Sequence, residues 1–204
     1  RDGLCQPRAA AGVLPLQAMN AAINPGYTYL LDYFEDYDYH RLRADINPAL
    51  LDYRHPDNIV GHQQRAFNLH WAIEAVAKPG GLGLEIGSGQ VYTPWCVATD
   101  AYRGPCHPHY GGAYWPHLAV RGEDLSVFHD GGFSLVLANH VVEHLQGDLQ
   151  AIWREHWLRV LRPGGILAAI IPDATYCGDD PHAVDGSHEH NWTADEFMES
   201  VVGP

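Results

Sequence analysis

An α/β fold built on a doubly wound, mostly parallel sheet is what this 204-residue sequence predicts, on three observations. Apolar, strand-length runs alternate with helical patterns along residues 61–171. Glycine-rich turns punctuate them: Lys78-Pro-Gly-Gly and Arg162-Pro-Gly-Gly. At 84–89 the run Leu-Glu-Ile breaks into Gly-Ser-Gly, the form of a buried strand handing over to a turn that lets a ligand approach the backbone. In an open α/β sheet the ligand binds at the carboxyl ends of the strands, so the chemistry is expected there.

Residues 1–60 read as an N-terminal cap or lid. An alanine-rich stretch (9–22) is flanked and interrupted by Pro7 and Pro15, and 27–39 mixes five tyrosines with four acids. Residues 61–204 make the main domain. A helix over 61–77 is predicted from apolar positions 67, 69, 71, 73 and 76. The first strand follows at 82–86. Trp95–Asp100 reads as a second short strand ending in an acid. Residues 101–117, rich in Gly, Pro, His and Tyr, are too polar and broken for core. Another strand covers Phe133–Leu137. Asp148 is a plausible N-cap for a helix whose apolar face is Leu149, Ile152, Trp153, Trp157, Val160 and Leu161. The fifth strand runs to Ile171.

Only 31 residues follow Asp173, too few for a helix and two further strands, so the sheet is expected to lack its usual last two. Trp192–Val202 reads as a helix, with Thr193 and Glu196 at capping-box spacing. The outer edge of the fifth strand should then be covered by the N-terminal segment, by a partner chain or by residues outside this sequence, and self-association is open to it. The chain begins with Arg1, the look of a trimmed or partial product.

Composition narrows the function. A net charge of −13 with 12 Lys+Arg disfavours nucleic acid, whose phosphates need a basic surface. No apolar run approaches the ~20 residues of a membrane span, and no signal peptide is visible. Cys5, Cys96, Cys106 and Cys177 form no C-x-x-C pair and are expected reduced, in a cytoplasmic protein.

The glycine turn excludes two nucleotide folds. A dinucleotide fingerprint needs a small residue where Tyr92 stands, and a phosphate-binding P-loop needs a lysine that does not follow. His140-Val-Val-Glu-His144 matches the H-x-x-E-H of a zinc-hydrolase class, but it directly follows a strand, which disfavours that reading. His107/His109 and His188/His190 have H-x-H spacing. With 14 histidines such pairs arise by chance in solvated loops, and no metal is assigned to the chain, although His182, His188 and His190 lie in the segment after Asp173 where an acceptor would bind.

Four ordered segments carry a resemblance: Glu85-Ile-Gly-Ser-Gly89, Trp95-Cys-Val-Ala-Thr-Asp100, Glu123 to Leu145 with its Val-Val-Glu-His-Leu ending, and Leu161-Arg-Pro-Gly-Gly through Asp173. Together they resemble a class I S-adenosylmethionine-dependent methyltransferase of the type-11-like family, with its Rossmann-like sheet. Three departures stand out. Only ten residues separate Gly89 from Asp100, Ser134 replaces an expected aspartate, and the end is short.

The resemblance implies S-adenosyl-L-methionine as cofactor and a set of binding residues. Glu85, Ile86, Gly87, Ser88 and Gly89 would form the cofactor loop, and Asp100 would take the ribose hydroxyls. Asp124 with the Leu125 backbone would face the adenine, with Glu123 a close rival, and Asn139 would lie near the methionine portion. Because the donor sulfonium is already activated, positioning does much of the work. Should the acceptor need to lose a proton, His140 and then Asp173 are the candidates at strand ends. The expected acceptor is a small molecule such as a sugar or secondary metabolite. A non-catalytic binding or partner subunit of the same fold is the alternative.

Overall fold

In a computed structural model of the chain, the described residues are Ala22, 59–76, 81–89, 93, 95–108, 114–178, 180–183 and 185–202. The proposed cap of residues 1–60 therefore lies almost wholly outside them. Five parallel strands form the sheet: β1 (Gly83–Ile86), β2 (Cys96–Asp100), β3 (Leu118–Ala119), β4 (Phe133–Asn139) and β5 (Leu161–Ile170), in the order β3-β2-β1-β4-β5. Strand order reverses between β1 and β4, where such sheets open a crevice at their carboxyl ends. Among the described residues β5 is an edge strand with none beyond it, as the short C-terminal segment led us to expect.

Strand alternation divides the core in two. On one face Leu135 and Leu137 of β4 pack with Ala72 and Ala75 of helix α1 (Ile59–Ala75) and with Val76 just after it. On the other, Leu84 and Ile86 of β1 and Val136 and Ala138 of β4 meet Trp153, Trp157 and Val160. Those three lie on α2, a continuous helical run made of Leu149–Ala151, a π-helical turn Ile152–Trp157 and Leu158–Val160. Asp148 caps it as the sequence predicts, accepting from the N–H groups of Gln150 and Ala151. β4 is buried along almost all its length because helices cover both of its faces.

The Leu161-Arg-Pro-Gly-Gly segment enters β5 through a register shift. Phe133 pairs with Leu161, but Leu135 pairs with Ile166, so the residues between them bulge out. Pro163 has no N–H to give the ladder, and Gly164 takes a left-handed φ of 75° in that bulge. A short helix α3 (Ala174–Cys177) and helix α4 (Ala194–Val202) complete the described chain. The capping box of α4 forms. The Thr193 N–H donates to Glu196 Oε2 at 2.9 Å, and the Glu196 N–H to Thr193 Oγ1 at 3.3 Å. No helix among the described residues is long and apolar enough to cross a membrane.

Candidate active site

A cavity of about 810 Å³ opens at the carboxyl ends of β1, β2 and β4. Ile86, Gly87 and Gly89 form one wall, with Asp100 and Tyr114 beside them. Arg121, Gly122 and Glu123 form another. His140, His144 and His188 close the far side. The glycines are there for backbone reasons. Gly87 has φ 64° and Gly89 φ 61°, left-handed conformations that a Cβ penalises. The Ser88 N–H between them donates to the Thr99 carbonyl at 2.9 Å, which pins the turn to β2.

Asp100, the last residue of β2, divides its carboxylate between two backbone groups. Oδ2 accepts from the Gly89 N–H at 3.0 Å and Oδ1 from the Tyr102 N–H at 2.9 Å. A carboxylate accepting one bond on each oxygen keeps lone pairs for further donors such as hydroxyls.

His140 also occupies a left-handed conformation, φ 52°, immediately after β4, and its N–H donates to the Ile170 carbonyl. A non-glycine residue held there is uncommon, and such strain clusters at functional sites. Its ring nitrogen Nδ1 lies 3.1 Å from Glu143 Oε1.

Of the remaining sequence-predicted residues, Ile86 alone is on the cavity wall. Glu85 and Ile86 are neighbours on a strand, so they face opposite sides of the sheet. Ile86 lines the cavity, and Glu85 lies on the α1 side. There its buried carboxylate accepts from the Asn68 side chain (3.0 Å), the Thr93 N–H (2.6 Å) and the Thr93 hydroxyl (2.8 Å). Asn139 does not line the cavity either; its Nδ2 donates to Asn68 Oδ1 at 2.6 Å. Asp124 and Leu125 also miss it. Asp124 accepts from the Ser126 N–H, and the Leu125 N–H donates to His156 Nδ1, so that amide is already used. The rival, Glu123, lines the cavity instead. Asp173 caps α3 through the Thr175 N–H, and its neighbour Pro172 is the residue that reaches the cavity.

The H-x-x-E-H zinc-hydrolase geometry is not made. Only Val142–His144 is helical, a single 3-10 turn, so His140 and His144 do not share a helix face. Sequence reasoning passed over His144, Tyr114 and Arg121 as cavity residues, and it treated His188 as part of a solvated loop. His188 is in fact buried. Cys96 is buried and Cys106 exposed, both free; burial first, and then the charge of Glu85, pushes the Cys96 thiol well up and leaves it inert.

Residues 112–169 match the model of a family described as a methyltransferase domain. That stretch supplies the cavity wall at 120–123, β4, the 142–144 turn and most of β5. The fold is a Rossmann-like α/β fold, a five-stranded parallel sheet flanked by helices, and over that stretch it is similar to the methyltransferase-domain family. A solved structure with a similar fold is the YcgJ protein of Bacillus subtilis, at TM-score 0.50 and 18% identity over 68% of this chain and 66% of that one. The chain thus spans just under two thirds of that protein's length. A Thermotoga maritima protein described as a "SAM-dependent methyltransferase, possible histamine N-methyltransferase" matches at TM-score 0.42 and 19% identity, over 69% of this chain and 72% of that one. At that score the second likeness carries no argument. No curated protein gives a match.

Within this fold Glu85 makes a testable electrostatic contribution. Desolvation outweighs the Thr93 and Asn68 hydrogen bonds and pushes its carboxyl from 4.5 up to about 7. The folded protein then holds a proton that the unfolded chain has released, so stability falls as pH rises from 4.5 to about 7. Across that window the unfolding free energy of wild type should drop by about 3 kcal/mol relative to Glu85→Gln. Urea titrations of both proteins from pH 4.5 to 8 check this. A difference independent of pH would refute it.

Proposed function

We propose that the chain is an S-adenosylmethionine-dependent methyltransferase acting on a small-molecule acceptor. The observation that carries this reading is the convergence of Gly87, Gly89, Asp100 and His140 on one cavity at the switch point of the sheet. The two-glycine turn brings bare backbone to a ligand, and Asp100 offers a carboxylate at the position where ribose hydroxyls would lie. Methyl transfer from a sulfonium needs acceptor, methyl and sulfur held in line, and a single cavity lined by all four residues suits that. Of the two residues considered for proton acceptance, His140 is the one that faces it. Glu123 is the acid better placed than Asp124 for the adenine end, since it lines the same cavity. The net charge of −13 favours a small acceptor over nucleic acid.

Calorimetric titration with S-adenosylmethionine tests the cofactor half, and turnover against a panel of hydroxyl and amine acceptors tests the rest. Asp100→Ala should weaken cofactor binding by about ten- to a hundredfold, the loss of a charge-assisted interaction of roughly 1.5–3 kcal/mol. Normal affinity in that variant would remove Asp100 from the site. A second reading rests on β5, the open edge of the described sheet. A non-catalytic subunit would use such an edge to pair with its partner, and it would bind cofactor without forming product.

A further inference from the structure

We propose that Glu143, His144 and His188 form a binding site for a divalent transition-metal ion of the zinc class, at the far side of the cavity. Each offers a ligand atom, and the three atoms lie within 4.8 Å of one another. Two of them, His144 and His188, line the cavity.

What points to an ion is the state of their polar atoms. Glu143 is fully buried. One of its oxygens meets His140 Nδ1 at 3.1 Å, while Oε2 has no hydrogen-bond partner. His188 is only 5% exposed, and its Nδ1 has none either. A buried carboxylate oxygen and a buried imidazole nitrogen, both unpaired, on residues whose ligand atoms lie within 4.8 Å, are costly unless something positive satisfies them.

His144 is set up as a ligand by its neighbours. Its Nδ1 lies 3.1 Å from the Ser187 carbonyl and 3.2 Å from Ser187 Oγ. The Ser187 hydroxyl gives its own hydrogen to Asp185 Oδ1 at 2.6 Å, so both groups facing Nδ1 are acceptors. Nδ1 therefore carries the proton, and Nε2 keeps the lone pair that a metal takes. A backbone carbonyl fixing the tautomer of a ligating histidine is the usual support around such sites, as is a hydrogen bond to a ligating carboxylate, here from His140.

The backbone holds the parts together. The Glu143 carbonyl accepts from the N–H groups of Glu189 (2.7 Å) and His190 (3.2 Å), which clamps the His188 segment onto the 142–144 turn. Tetrahedral zinc bonds of 2.0–2.2 Å need ligand atoms roughly 3.4 Å apart, so small side-chain rotations close the cluster. Three protein ligands leave a fourth position, the pattern of a catalytic site. On the methyltransferase reading above, an acceptor oxygen would fill that position. The ion itself does not depend on that reading.

The test is zinc titration of chelator-treated, metal-free protein by calorimetry, followed by cobalt(II) substitution. The expected result is one zinc per chain and the intense visible bands of four-coordinate cobalt. His144→Ala and His188→Ala should each lower zinc affinity by at least about a hundredfold, and His182→Ala, on an exposed turn outside the cluster, should leave it unchanged. His188→Cys restores a zinc donor and should keep stoichiometric binding with an added sulfur-to-cobalt charge-transfer band, which separates ligation from folding. Absence of stoichiometric zinc binding overturns the proposal, as does unchanged affinity in both alanine variants. S-adenosylmethionine affinity, read on the same metal-free protein, separates the two readings. Its absence would sink the methyltransferase function and leave a zinc result standing.

Discussion

Gly87→Val should abolish S-adenosylmethionine binding while leaving the helix content unchanged. Two independent conflicts produce that outcome. Gly87 sits at φ 64°, where a β-branched residue is a severe outlier. A Cβ built there would also overlap Val141 Cγ2, on the segment that follows β4. The new methyls meet the protein first and displace the turn from the cavity, rather than simply occupying cofactor space. Gly87→Ala carries the same dihedral problem with less bulk and should fall between the two. Calorimetry on folded protein, checked by circular dichroism, decides. Wild-type affinity in Gly87→Val would remove this loop from the cofactor site.

Trp157→Ala should cost about 3–5 kcal/mol of stability, the range for deleting a buried tryptophan. The ring is fully buried, 4.6 Å from that of Trp153, and its Nε1 donates to the Gly122 carbonyl at 2.7 Å. Trp157→Phe separates the contributions. It keeps most of the packing but strands the Gly122 oxygen, a penalty of about 1–3 kcal/mol. Gly122 lines the cavity, so both variants should also disturb ligand binding. Urea unfolding with matched calorimetry measures both effects. A shift in stability below 1 kcal/mol for Trp157→Ala would mean that this core closes on itself more readily than rigid packing allows.

The frame of the sheet was legible because local patterns encode it. β1, β2, β4 and β5 are apolar runs, β1 running into a glycine turn and β2 ending in an acid, and the caps at Asp148 and Thr193 need only residues three apart. β3 escaped notice because it is two residues long, inside a stretch broken by Pro116 and His117. The site was harder to read. Glu85 stands beside the glycine turn in sequence, yet strand alternation turns it to the opposite face, where Asn68 receives it from 17 residues away. Asp124 and Glu123 differ by one position, and no spacing argument chooses between them. His144 and Ser187 meet across 43 residues, through a loop whose course is set by backbone bonds to Glu143. Contacts of that range leave no periodic trace.

The short connection between β1 and β2 has a mechanical consequence. Nine residues, 87–95, join two adjacent parallel strands, where a dozen or more are usual. The Ser88 N–H donates to the Thr99 carbonyl and the Gly83 N–H to the Trp95 carbonyl, so the connection is bonded to the sheet near both of its ends. That side of the cavity is stiff. The opposite side, 185–190, belongs to no strand, and an isolated bridge between Asp173 and Trp192 is the nearest ladder to it. Compliance is therefore unevenly distributed around the cavity. The glycine side is the strand-anchored reference against which a ligand is aligned, while the histidine side is held by the bonds from the Glu189 and His190 N–H groups to the Glu143 carbonyl.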